Sequence, residues 1–270
     1  MNLEHYLTEL YNESKKHNKY TMLFLYLSLA LLVISFYQKG VYVYFPAVFA
    51  LFVQIISWYF TWKSKSYRNI ANDIQVTYLL QKAYGEIQGK FNISELMARI
   101  PNNIHKKVSK KEKKNVDADY ETGKTESCDY TLLKMIQENS FWNKHLYQAS
   151  YERRIKIFYM LMFLFVFSVL LSIPFIKLDY NFTLIRIFLG IMSLSIIYEV
   201  IENTLVFKRS AQQMAHVDSE ISRINDLSKQ QLMEIFSKYI NINFITPDIP
   251  NGIYLDNKDR LNKSWHQRVS

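Results

Sequence analysis

The sequence predicts an all-α integral membrane protein, with four transmembrane helices in two hairpins and helical cytoplasmic stalks. Three observations carry that class. No charged residue falls within 21–38, 40–62 or 157–176. Apolar runs of about 18 residues or more match the helical length that crosses hydrocarbon. The turns that join the runs in pairs, Lys39-Gly40 and residues 177–180, are too short for anything but tight hairpins. Basic residues are also segregated, with 18 of the 33 Lys and Arg inside 63–156. A mean hydropathy of −0.10 hides this pattern, because apolar and charged residues alternate in blocks and not residue by residue.

Taken in order, residues 1–20 read as a cytoplasmic N-terminal helix. Glu4, Glu9 and Glu13 precede Lys15, Lys16 and Lys19, which is not the basic start of a cleaved leader. Residues 21–62 form the first hairpin, with spans at 21–38 and 41–62. Residues 63–156 read as a cytoplasmic helical segment with a basic loop. Ile70, Ile74, Tyr78 and Leu79 continue the second span as a stalk at helical spacing. The polar stretch 101–126 reads as a mobile loop.

Residues 157–207 form the second hairpin, with spans at 157–176 and about 181–207. Residues 208–270 read as a stalk and tail. Over 210–239 an apolar stripe of Ile221, Ile224, Leu227, Leu232 and Ile235 predicts one long amphipathic helix. That stripe needs cover from another stalk or another subunit. Pro247, Pro250 and Gly252 predict a non-helical or short-helix tail over 241–270.

The Lys/Arg excess on one set of loops marks the cytoplasmic side. Residues 208–270 hold nine more basic residues, against one in each hairpin turn. Both termini and the central segment are therefore expected in the cytoplasm of a multi-pass membrane protein.

Composition narrows the chemistry. A single cysteine, Cys128, excludes an internal disulfide framework. The six histidines are scattered singly, and phosphate-binding, nucleophile-elbow and zinc-protease motifs are absent. The expectation is no enzyme, no catalytic residue, no metal and no cofactor.

Polar residues inside the spans are the candidates for a conduction path. Gln54 and Ser57 lie three apart in the second span, and Ser168 and Ser172 four apart in the third. Such residues line pores, but more often they bond helices together. Thr183, Arg186, Gly190 and Ser193 share one helical face of the fourth span. They read as a polar strip facing a path, or as an Arg snorkelling beside a small-residue packing face. Glu199 and Glu202 read as an acidic ring at an inner mouth, or as partners of Arg153, Arg154 and Lys156 on the same side. Lys106, Lys107, Lys110, Lys111, Lys113 and Lys114 place six positive charges within nine residues. They are the ligand-binding candidates, suited to a nucleotide, an oligonucleotide or anionic membrane lipid. The plainer reading is a solvated run that sets topology.

Four stretches carry a resemblance: residues 7–19, 71–75, 136–142 and 244–250 together with Tyr254. With this order of parts, the chain resembles the SMODS-associated four-transmembrane effectors of bacterial antiphage operons. The resemblance implies a partner nucleotidyltransferase whose nucleotide or oligonucleotide product controls the effector. The product opens a channel or holds it closed, and the outcome is a collapsed ion gradient in an infected cell. A path for ions needs several copies, about four, around one axis, so a homo-oligomer is expected. A non-conducting, membrane-anchored adaptor that recruits a cytoplasmic partner is the alternative. A transporter is disfavoured because Pro46 and Pro174 lie near span ends and no broken-helix pair is evident.

Overall fold

The computed structural model describes residues 3–38, 40–85, 93–112, 128–178 and 183–269. Among the described residues every regular element is a helix, with no strand. Helix α1 runs over Leu3–Tyr37 and α2 over Tyr44–Tyr84, joined through a 3-10 turn at Gly40–Val43. Pro46 sits in the first turn of α2, where its missing N–H leaves no bond unmade. That helix ends at Gly85, whose φ of 80° suits glycine and whose N–H returns to the Gln81 carbonyl at 2.9 Å.

Short helices α3, Ile93–Ala98, and α4, Asn102–Glu112, follow. Helix α5, Cys128–Leu178, has 51 residues, a length of about 77 Å at 1.5 Å per residue. Helix α6 covers Thr183–Ile221, α7 covers Lys229–Ile245 and α8 covers Asn251–Val269.

Two stretches, Leu3–Ser35 and Val41–Tyr84, are long and apolar enough to cross a membrane. In their apolar halves α1 and α2 pack with α5 and α6 around Leu25, Leu29, Ala47, Phe165 and Ile197. Outside that seam the same halves leave large apolar side chains open, among them Phe45 at 69% and Phe163 at 70% exposure. Such a surface is costly in water and suits a lipid surround.

The polar halves fold into a second body. Its main core joins Leu79 and Ala83 of α2, Leu132 and Ile136 of α5, Phe207 and Met214 of α6, and Leu232, Ile235 and Tyr239 of α7. A satellite core packs Tyr6 and Leu10 of α1 against Ile70 and Ile74 of α2 and Ile104 and Val108 of α4.

Three expectations are corrected here. The single stalk over 210–239 is two helices, because α6 stops at Ile221 and Ser228 caps a new one. The Ser228 hydroxyl accepts from the Gln231 N–H at 3.2 Å. Its apolar stripe folds inward: Ile221, Leu232 and Ile235 are buried within this chain, and Ile224 and Leu227 pack against them. The stripe therefore supplies no reason for a second subunit. The described part of the basic loop, 102–112, is helix α4, since Ile104 and Val108 at i, i+4 give it an apolar edge to bury.

The tail is largely helical. Residues before proline avoid helical backbone, so α7 ends at Ile245, with Thr246 as an extended cap ahead of Pro247, and α8 begins after Pro250. Helix α8 packs Ile253 and Leu261 on Phe141 and Leu146 of α5, with Trp265 alongside.

Candidate functional site

A polar cavity of about 200 Å³ opens in the polar body where α1, α2, α5, α7 and the proline-bearing link 247–249 converge. It is lined by Tyr11 and Lys15 of α1, and by Arg68, Asn72 and Gln75 of α2. Asn143 and Tyr147 of α5 and Asn243 of α7 face them, and Pro247, Asp248 and Ile249 close one side. Lys15 lies six residues before Thr21, about 9 Å along α1 from the start of the apolar run. The cavity thus sits close to where the apolar half begins.

Its walls are cross-linked by hydrogen bonds. The Tyr11 hydroxyl lies 2.8 Å from Asn72 Oδ1 and 2.7 Å from Gln75 Oε1. Gln75 Nε2 donates to the Tyr239 hydroxyl at 3.3 Å. Tyr147 donates to Asn243 Oδ1 at 2.9 Å, and Asn143 Nδ2 to the same oxygen at 3.2 Å. Arg68 Nη2 donates to the Asn243 carbonyl at 2.9 Å, while its Nε is 3.7 Å from Asp248 Oδ1. Ser14 of α1, fully buried, donates to the Asp248 carboxylate. Asp248 is thereby held by α1 and α2 together, which fixes the link between α7 and α8.

The electrostatics follow from burial. Burial pushes the Tyr147 phenol up to about 12, against the lowering pull of Arg68. Tyr11 and Tyr239 are raised further by the same cause. All three are neutral donors near neutral pH. Burial lowers the Lys15 ammonium from its ordinary value, and Asp248 opposes that shift. The formal charges of the lining are Lys15, Arg68 and Asp248, a surplus of one positive charge.

The lysine run lies elsewhere and is split. Lys107 pairs with Glu13 and Lys111 with Glu9, both carboxylates being buried on α1. Lys106 and Lys110 are exposed, and Lys113 and Lys114 lie outside the described residues. Burial pushes the Glu13 carboxyl up, but the hydrogen bond and charge of Lys107, helped by Lys16 and His17, hold it below its ordinary value. Half of the described run therefore clamps α4 to α1.

The pore candidates fare unevenly. Gln54 and Ser57 are buried between helices of this chain, and Ser57 Oγ donates to the Thr21 carbonyl at 3.0 Å. Ser28 does the same to the Ala50 carbonyl at 3.1 Å. These hydroxyls bond α1 to α2, and neither Gln54 nor Ser57 faces an open path in the single chain. The side chains of Arg186, Ser193 and Glu199 lie outside the described residues. Glu202 is exposed and, among the described residues, makes no ion pair with Arg153, Arg154 or Lys156. Arg154 instead stacks its guanidinium 4.8 Å from the centre of the Phe207 ring.

The cavity residues were missed as a site because each comes from a different stretch. A signal was present: Asn72 and Gln75 sit beside Ile70, Ile74 and Tyr78 on a stalk that must bury its face. No protein-family model matches this chain, and no curated protein or solved structure matches it.

Proposed function

We propose that the chain is a multi-pass membrane effector with four spans in two hairpins and both termini in the cytoplasm. Several copies surround an axis to form an ion channel or pore, and a nucleotide or oligonucleotide signal controls it. One observation carries the reading: four long helices run unbroken from an apolar half into a polar half, where three of them, α1, α2 and α5, line a polar cavity. Helices α1, α2, α5 and α6 have 35, 41, 51 and 39 residues, against about 20 needed to cross hydrocarbon. A change of packing around the cavity is therefore handed to the membrane half by rigid elements.

The exposed apolar face of α5, with Tyr159, Phe163, Leu164 and Phe167, supports counting it as a span beside the first two. The resemblance to nucleotidyltransferase-linked antiphage effectors supplies the class of signal and the loss of an ion gradient as outcome. Gating by such a signal requires only that it bind one of two packings more tightly than the other.

Planar-bilayer recording of the purified chain tests the reading. Discrete current steps whose open probability shifts with added oligonucleotide are expected. A protein that inserts fully yet passes no current under any oligonucleotide tried sinks it. Topology is tested separately on a Cys128→Ser background, where a cysteine placed at Lys110 stays hidden from an impermeant reagent in intact cells.

A further inference from the structure

A smaller pocket of about 160 Å³ lies where α1, α5, α6 and the start of α8 meet. Met22, Ile157, Val200 and Ile253 give it apolar walls, and Arg153, Arg154 and Tyr26 line it as well. Met22 and Ile157 belong to the first turns of the uncharged runs over 21–38 and 157–176. The pocket therefore stands at the edge of the membrane-length segments. Two positive groups meet there. Arg154 lays its guanidinium over the Phe207 ring at 4.8 Å, and Arg153 is exposed. Among the described residues neither meets a carboxylate within 4 Å or makes a side-chain hydrogen bond. Asp248 acts on Arg154 from beyond that distance, and its carboxylate already serves Ser14 and Arg68.

The start of α8 adds a third source of positive potential. Arg153 Nη1 comes within 3.4 Å of where a Cβ on Gly252 would stand, and Gly252 is the second residue of α8. The first N–H groups of a helix have no partner inside it and carry partial positive charge. A guanidinium set against that end is repelled, and an anion between the two reverses the sign. Water solvates the charges but gains nothing from the apolar walls, whereas a phosphate that carries an apolar tail suits both. We propose that this pocket holds the phosphate of an anionic phospholipid, with Arg153 and Arg154 donating to its oxygens and its glycerol end lying against Met22, Ile157 and Val200. A lipid held there bridges α5 and α8 beside the link that Asp248 fixes. The exposed lysines Lys19 and Lys156 attract anionic headgroups without choosing a place; the arginines differ in having a pocket and planar, paired donors. The proposal rests on the reading above only in taking the apolar halves of α1 and α5 as membrane-embedded.

The test is native mass spectrometry of the full chain released from phosphatidylcholine nanodiscs that contain a minor share of phosphatidylglycerol. The wild type should keep one phosphatidylglycerol per chain, preferred about tenfold over its share of the bilayer. Arg153→Gln/Arg154→Gln should lose that preference. Arg153→Lys/Arg154→Lys should lose most of it, because ammonium groups keep the charge but not the paired donors. Lys19→Gln/Lys156→Gln removes the same charge beside the same span starts and should retain the lipid as wild type does. Gly252→Leu leaves every charge in place and crowds Arg153, so it too should weaken retention; it serves as the test if the arginine variants fail to fold.

The site is overturned if the wild type shows no preference for phosphatidylglycerol, or if the Gln pair or the Lys pair retains it fully. Equal loss in Lys19→Gln/Lys156→Gln overturns it too, since general surface charge then suffices. A dinucleoside monophosphate added to pure phosphatidylcholine discs is the second arm. Its binding, lost in the Gln pair and unaccompanied by lipid retention, overturns the lipid as occupant. A chain that keeps the lipid but passes no current in bilayer recording removes the channel and leaves the site. A current that responds to oligonucleotide in a chain without lipid preference does the reverse.

Discussion

Arg268 of α8 and Asp218 of α6 meet at 2.9 Å, and Lys144 of α5 approaches the same buried carboxylate at 2.5 Å. One side chain thus joins three helices drawn from distant parts of the chain. Arg268 also donates to the Ser222 hydroxyl at 2.7 Å, where α6 ends. The last turn of the chain is therefore held against the α6–α7 bend.

Asp218→Asn should free α8 before it unfolds anything else. It removes the charge that both cations serve, so a loss of about 1.5–3 kcal/mol is expected. Limited proteolysis should cut within 251–269 at protease levels that spare the wild type. Unchanged protection of α8 would show that the apolar contacts of Ile253 and Leu261 suffice alone.

The α1–α4 clamp has a pH window. The Glu13 carboxyl lies below its ordinary value, so its stabilisation is present above about 4.3, the unfolded value, and fades as pH falls through the lower folded one. The Lys107 ammonium is raised, first by its hydrogen bond to Glu13, so its share is present below about 10.4 and is lost only above the folded value. Amide exchange over 102–112, corrected for intrinsic rates, should accelerate in acid and stay slow from pH 5 to 9. Glu13→Gln should flatten that dependence.

Ile235→Ala should cost the fold about 2–5 kcal/mol, as for other fully buried large-to-small changes. The side chain is 0% exposed inside the main core. Native mass spectrometry should return the wild-type subunit number. A variant with an unaltered unfolding midpoint but fewer subunits would place the stripe at an interface after all.

Ser57→Ala should weaken the α1–α2 pair by about 0.6 kcal/mol and leave single-channel conductance and ion preference unchanged. Gln54→Leu should likewise leave conductance intact, because the amide is buried within one chain. A shift in reversal potential in either variant would return these positions to a pore wall.

What the sequence made legible was governed by local pattern. The uncharged runs announce membrane-length helices because the bilayer sorts residues over about 20 consecutive positions, and α1 and α2 realise them. Helix α4 was obscured because its lysines dominate composition, while only Ile104 and Val108 report its packed edge. The bend at 222–228 was obscured because Ile221, Ile224 and Leu227 keep helical spacing across it, although Ser228 offered a cap. The cavity was not legible, since Tyr11, Asn72, Tyr147 and Asn243 meet only after four helices pack.

The shared core has a consequence for the order of synthesis. Leu79 and Ala83 of α2 are covered by Leu232, Ile235 and Tyr239 of α7, which leave the ribosome some 150 residues later. Ile70 and Ile74 of α2 have α1 to pack on from the start, whereas Leu79 and Ala83 lack this part of their cover until α7 is made. Until residue 245 emerges, the far end of α2 around Leu79 and Ala83 is the part left open to proteases and chaperones. A nascent chain stalled at the end of α6 should be degraded from that stretch, whereas one stalled past α7 should survive.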